Sequence, residues 1–97
     1  MAKKIEWTET SVHDRFRNII FGLTNKSDSY SKKLEILFNE AAKLISEFPE
    51  IGTETDYPDL RVKVVKSYKL FYINEVDKIQ IIRVWDSRQN PSDLELP

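Results

Sequence analysis

Seven basic residues, Arg61, Lys63, Lys66, Lys69, Lys78, Arg83 and Arg88, fall between Leu60 and Pro91 against three acidic ones. That is a local balance of +4 in a chain whose formal net charge is −1. Guanidinium groups grip phosphate or carboxylate oxygens in pairs. Arg61, Arg83 and Arg88, with Lys63 and Lys66, are therefore the candidates for holding a polyanion or an acidic protein segment. Like charges facing each other across strands repel, so sheet stability alone does not call for such a bias. The competing explanation is that Lys on an exposed sheet edge blocks edge-to-edge aggregation.

These residues must be positioned by strands. Leu60–Lys66, Tyr68–Asn74 and Lys78–Trp85 are rich in Val, Ile, Tyr, Phe and Trp, the composition of a strand. Little more than Ser67 separates the first two, which demands a tight turn or a bulge, and Asn74–Asp77 makes the second hairpin turn. Upstream, Lys3–Thr8 alternates polar and apolar and reads as a short strand. Thr8 or Thr10 then caps a helix with Val12, Phe16, Ile19, Ile20 and Leu23 at helical spacing. After the polar break Asn25–Ser29, a second helix over Tyr30–Phe48 carries a stripe of Leu34, Leu37, Phe38, Ala41, Leu44, Ile45 and Phe48. Pro49 stops it. Truncation of Leu44 or Ile45 in that stripe is expected to cost roughly 2–5 kcal/mol. Glu50–Asp59 reads as a loop, and the tail from about residue 88 as irregular.

The order is β–α–α–β–β–β, an α+β domain over 1–97 in which a helical hairpin packs on one face of a mostly antiparallel sheet. The other face is left for solvent or a partner. In the last strand both parities are partly apolar, so its inward residues stay ambiguous: Ile79, Ile81, Arg83 and Trp85, or Gln80, Ile82, Val84 and Asp86.

Composition narrows the function. The apolar share is 40% and the charged share 32%, as in a soluble domain. No cysteine is present, which removes disulfides and thiolate metal sites and suits a reducing cytoplasm. With one histidine and no ligand-loop spacing of carboxylates, neither a metal nor a cofactor is expected. The two glycines, Gly22 and Gly52, cannot build a phosphate-cradling loop. Neither an export signal nor a membrane span is expected.

Pro49-x-x-Gly52, Leu60-Arg61, Tyr68-Lys69-Leu70-Phe71-Tyr72 and the run Ile81–Pro91 follow one another at a spacing that resembles the RelE/ParE superfamily of type II toxins, from Lys3 to about Pro91. The resemblance implies a toxin neutralised by a cognate antitoxin, which lays an extended or helical segment on an apolar sheet face or helix groove. RelE-like members cut mRNA on the ribosome, whereas ParE-like members poison DNA gyrase without cutting RNA.

Cleavage by a 2′-hydroxyl needs a base, an acid and cations around the phosphorane. Arg61, Lys63, Arg83 and Arg88 supply cations, with Arg61 the foremost candidate: Arg61→Ala is expected to alter toxicity and spare stability. Where many family members place an acid–base residue this chain has Asp86, which is either a base or a salt-bridge partner of Arg83 or Arg88. Tyr68 and Tyr72 are acids only if nearby cations lower their pKa. His13 lies on the first helix, facing solvent or packing. The near-neutral overall charge is a poor start for binding ribosome or mRNA, whose affinity rests on neutralising phosphates. Poisoning of a protein target such as gyrase therefore leads, ahead of ribosome-dependent mRNA cleavage. Beyond these stand a non-toxic interaction module derived from a toxin and a single-strand-binding domain using Tyr68 and Tyr72 beside Lys66 and Lys69.

Overall fold

A computed structural model describes residues 2–96. The elements are β1 (Lys4–Trp7), α1 (Glu9–Asn25), α2 (Asp28–Glu47), β2 (Thr53–Glu54), β3 (Leu60–Val65), β4 (Tyr68–Asn74), β5 (Lys78–Asp86) and a 3-10 turn at Pro91–Asp93. Thr8 caps α1 by accepting from the Ser11 amide, and its hydroxyl donates to the Ile82 carbonyl at 3.1 Å, so one side chain both starts the helix and fastens it to the sheet. Ser27 caps α2 by accepting from the Tyr30 amide. Phe48, preceding Pro49, leaves the helical region at ψ 75°, as steric conflict with the proline ring requires.

The sheet runs β1-β5-β4-β3-β2. β1 lies parallel to β5, and the remaining pairs are antiparallel. The β–α–α–β–β–β order holds, with one addition: the expected loop Glu50–Asp59 contains the two-residue β2, paired to Arg61 and Val62. Lys66, at φ 54°, supplies the left-handed position that the tight β3–β4 turn needs.

A register shift resolves the ambiguous parity of β5. Phe71 pairs with Arg83 but Tyr72 with Ile81, so Ile82 is an extra residue. A one-residue bulge exchanges the faces beyond it. Ile79, Ile81 and Val84 consequently all join Leu70 and Tyr72 of β4 and Leu34, Phe38, Ala41 and Ile45 of α2 in the main core. Neither parity set read from the sequence is correct along the whole strand.

The opposite sheet face is not left free. It carries a second cluster of Leu60, Phe71 and Trp85 with Val62, Ile73 and Ile82, and the tail lays Leu94 and Leu96 against it. Nor does it gather the positive charge. Arg61 and Lys63 stand opposite Tyr72 and Leu70, on the helix-bearing side, whereas Lys69 stands opposite Val64 and Trp85. Alternation along β3 and β4 splits the basic residues between faces.

The first helix departs furthest from its pattern. Its buried residues are Ser11, Asp14 and Gly22, while Phe16 is 66% exposed and Val12, Ile20 and Leu23 each more than 40%. A Cβ on Gly22 would come within 2.8 Å of Ser31 Oγ and 2.9 Å of the Tyr30 ring. The two helices meet through these small groups, and the Ser31 hydroxyl donates to the Ile19 carbonyl at 3.0 Å. Arg15 lies over the Trp7 ring at 4.2 Å and bonds Asn39 at 2.9 Å, closing the side of the hairpin.

Candidate functional site

The first knot forms around the Pro49–Gly52 segment. The Tyr72 hydroxyl donates to the Pro49 carbonyl at 2.8 Å and accepts from the Gly52 amide at 2.9 Å. A Cβ on Gly52 would lie 2.6 Å from that hydroxyl oxygen, so glycine is required for the close approach. Arg61 completes the knot, donating to the carbonyls of Gly52 (2.8 Å) and Glu50 (3.3 Å) and pairing with Glu54 at 3.3 Å. Beside it opens a polar pocket of about 380 Å³, lined by Glu54–Arg61 and Asn74.

Tyr72 is fully buried and so is not a contact residue for a partner. Burial raises its phenol pKa, against the opposing pull of the Gly52 amide and Arg61, and it stays protonated at neutral pH. Tyr72→Phe strands the Gly52 amide and the Pro49 carbonyl in the interior. It is expected to lower stability by roughly 1–3 kcal/mol, measured by urea titration; no loss would show that water replaces the hydroxyl. Arg61, expected to be separable from stability, anchors the same loop through its backbone contacts. Arg61→Ala therefore loosens that loop as well as removing a charge.

The other candidates lie elsewhere. Asp86 accepts from Arg88 Nε at 2.9 Å, Nη2 at 2.8 Å and the backbone amide at 2.9 Å. These bonds, the side-chain one foremost, hold the Asp86 carboxyl below its usual range, and the same pairing raises Arg88. A base whose lone pairs are filled by a guanidinium abstracts a proton poorly. Because the folded-state pKa is depressed, the pair adds stability above about pH 4 and loses it as pH falls through the lowered value. Arg88 is largely exposed, so the gain is under about 1 kcal/mol. Arg88→Ala should remove that increment at pH 7 and converge with the parent as pH falls through the lowered Asp86 value, read in urea titrations.

Arg61 stands opposite Tyr72, and Asp86 opposite Tyr68. Four positions along a strand separate the two sites by roughly 13 Å. Arg61 and the Asp86–Arg88 pair thus occupy different ends of β4 and share no cleft.

Arg83 is half-buried in a third arrangement. Its Nε and Nη2 donate to the Asp14 carboxylate at 2.8 and 3.1 Å, and its Nη1 to the Glu95 carbonyl at 2.9 Å. It clamps α1, β5 and the tail together and is not available as a surface cation.

Lys63 stays half-buried on the helix side, and Lys66 is exposed at its turn. With Lys33, Lys66 rims an apolar groove of about 350 Å³ lined by Tyr30, Leu34, Leu37 and Tyr68. The sequence reading missed Tyr30 and Lys33, because nothing in α2's pattern shows that its first turn overhangs the β3–β4 turn. Tyr68 is buried edge-on against Phe38, centroids 5.1 Å apart. Burial, then the neighbouring Tyr30 hydroxyl, pushes its phenol well up. His13 is exposed on α1. Among the described residues no three His, Cys, Asp or Glu side chains are placed to hold a metal ion, and no helix is long and apolar enough to cross a membrane.

Helices on one side of a mixed sheet, a tail across the other and a tyrosine–arginine knot at the Pro49–Gly52 turn define an α+β toxin-like fold. The sequence profile of the ParE toxin of type II toxin–antitoxin systems, parDE, matches residues 5–91. The chain belongs to the ParE toxin family. Its fold is similar to that in a chromosomal ParDE toxin–antitoxin system from P. aeruginosa, with TM-score 0.75 and 15% identity over 86% of this chain and 94% of that one. It is also similar to a copper-bound mutant toxin from Helicobacter pylori, with TM-score 0.51 and 17% identity over 96% and 99% of the two chains. No curated protein matches the sequence.

Proposed function

We propose that this toxin arrests growth in the cytoplasm by binding a protein target such as DNA gyrase, and that a cognate antitoxin neutralises it. The observation that carries this reading is the state of the groups that cleavage would need. Asp86 is chelated by Arg88, Tyr68 and Tyr72 are buried phenols whose pKa values are raised, and His13 sits on α1. Hydroxyl attack on RNA needs a free base and an available acid about one reacting phosphate; here Asp86 and the two phenols are engaged elsewhere, and His13 stands apart from them on α1. A binding toxin needs none of them.

The test combines three measurements. Induction should stop growth, and co-expression of the neighbouring gene's product should restore it. Purified toxin should inhibit gyrase supercoiling. Primer extension on cellular mRNA should show no new cuts. Codon-phased cuts that vanish in Arg61→Ala and Arg88→Ala would establish the mRNA endonuclease instead. Normal growth on induction would leave a non-toxic interaction module.

A further inference from the structure

The groove beneath the first turn of α2 adjoins a bare stretch of strand edge. Hairpin pairing fixes which β3 groups are free. Val65 closes the two-residue turn against Tyr68, and Lys63 and Arg61 pair with Leu70 and Tyr72. The backbone N–H and C=O of Leu60, Val62 and Val64 therefore point to the outer edge. β2 covers only part of that edge: the Thr55 amide donates to the Leu60 carbonyl, and Thr53 stands opposite Val62. Upstream of Thr53 the chain turns away, the Ile51 amide donating to the Phe48 carbonyl. Among the described residues no strand pairs with Val64 on this side, and its side chain is 55% exposed. An uncovered edge is a template for an added strand.

The pleat aims such a strand at the groove. Lys63 and Val65 face the helices, Val65 against the main core, and residues of an added strand opposite them point the same way. On that side lies the groove of about 350 Å³ between Tyr30, Leu34 and Leu37 of α2 and Tyr68 of β4. It is at the small end of ligand clefts, so it takes an apolar side chain and not the face of a helix.

Charge selects the rest of the occupant. Lys33 and Lys66 rim the groove and are exposed, and half-buried Lys63 stands on the adjoining edge. None of the three forms an ion pair among the described residues. The carboxylates nearby do not cancel them. Asp86, across from Tyr68, is occupied by Arg88. Glu40, the next carboxylate on this flank of α2, lies about 10 Å beyond Lys33 along the helix and does not line the groove. Nucleic acid suits the lysines alone, because stacking needs an open aromatic face. Tyr68 is buried edge-on against Phe38, and Tyr30 is pressed against Gly22.

We propose that this margin takes an extended acidic peptide segment of a partner protein by strand addition at Val64. One bulky apolar side chain enters the groove, and carboxylates on either side of it meet Lys33, Lys63 and Lys66. The proposal is independent of the target and antitoxin readings above.

Titration of isotopically labelled protein with the peptide Glu-Thr-Glu-Thr-Leu-Thr-Glu-Thr-Glu, followed by amide NMR shifts, should give a Kd below about 1 mM. The largest shifts should fall at Lys33, Leu37 and Val64–Ser67. Saturating peptide should slow exchange of the Val64 amide at least about fivefold. Replacing every glutamate of the peptide by glutamine should weaken binding at least about tenfold. The double variant Lys33→Glu with Lys66→Glu changes only exposed side chains and should keep its circular dichroism melt. It should lose the acidic peptide and bind Lys-Thr-Lys-Thr-Leu-Thr-Lys-Thr-Lys instead. Four results would overturn the proposal: no shifts up to about 2 mM peptide, shifts centred elsewhere, equal binding of the glutamine peptide, or unchanged exchange at Val64. A short oligothymidylate that binds the same amides more tightly than the peptide would overturn it too, assigning the lysines to nucleic acid.

Discussion

Replacing Asp14 by alanine is expected to lower unfolding free energy by roughly 3–5 kcal/mol, one of the two largest losses expected from a single substitution. Asp14 is 4% exposed, and its carboxylate accepts from Arg83 Nε and Nη2 and from the Val84 amide. Alanine leaves a largely covered guanidinium with one remaining hydrogen bond, to the Glu95 carbonyl, beside the Trp85 ring at 5.8 Å, and the Val84 amide without its carboxylate acceptor. Removing one partner of a buried pair costs far more than the pair itself contributes, because the desolvated charge stays behind. The tail should loosen in the same variant, since Arg83 is also what ties Glu95, and with it Leu94 and Leu96, to the sheet. Urea titration measures the first effect, and amide exchange over residues 92–96 the second. A loss below about 1 kcal/mol would mean that Arg83 finds water and the clamp is ornamental. Replacing both residues by apolar ones of similar volume should cost less than Asp14→Ala alone.

The second large effect separates two neighbours. Ile45→Ala is expected to cost roughly 2–5 kcal/mol, because Ile45 is 0% exposed in the core beneath α2. Leu44→Ala is expected to cost under about 1 kcal/mol, because Leu44 is 36% exposed. The apolar stripe of α2 groups the two residues together, but α2 is turned so that Leu34, Phe38, Ala41 and Ile45 point straight down, leaving Leu44 and Phe48 at the margin. Denaturant midpoints at unchanged slope decide the matter. Equal losses would mean that Leu44 is covered in solution.

The same distinction runs through the whole chain. Local rules act within a few residues, and they are legible: a cap at Thr8 or Thr10, a polar break at Asn25–Ser29, Pro49 as a stop, a tight turn at Ser67, the strand composition of β3 and β4. Their sum is the β–α–α–β–β–β order and the family. Candidate site residues were read by type alone, and type does not report a partner far along the chain. By type Arg83 is a surface cation, but its partner Asp14 lies 69 residues away, and Tyr72 is held by Pro49 and Gly52, 23 and 20 residues upstream in the chain.

Periodicity reveals that a face is apolar but not where it points. Where α1 meets α2, the small residues Gly22 and Ser31 allow so close a helix approach that the polar row of α1 turns inward, and the Asp14–Arg83 pair locks it there. On β5 one extra residue, Ile82, exchanges the strand's faces, which no alternation rule anticipates because the bulge is set by pairing with β4. Two leucines in the tail are too few to signal burial until Phe71 and Trp85 are seen waiting for them. Elements and their order therefore follow from the amino acids in line. Which side of each element meets the core, and which cations stand apart, depends on contacts among residues distant in the chain, and only packing in three dimensions decides them.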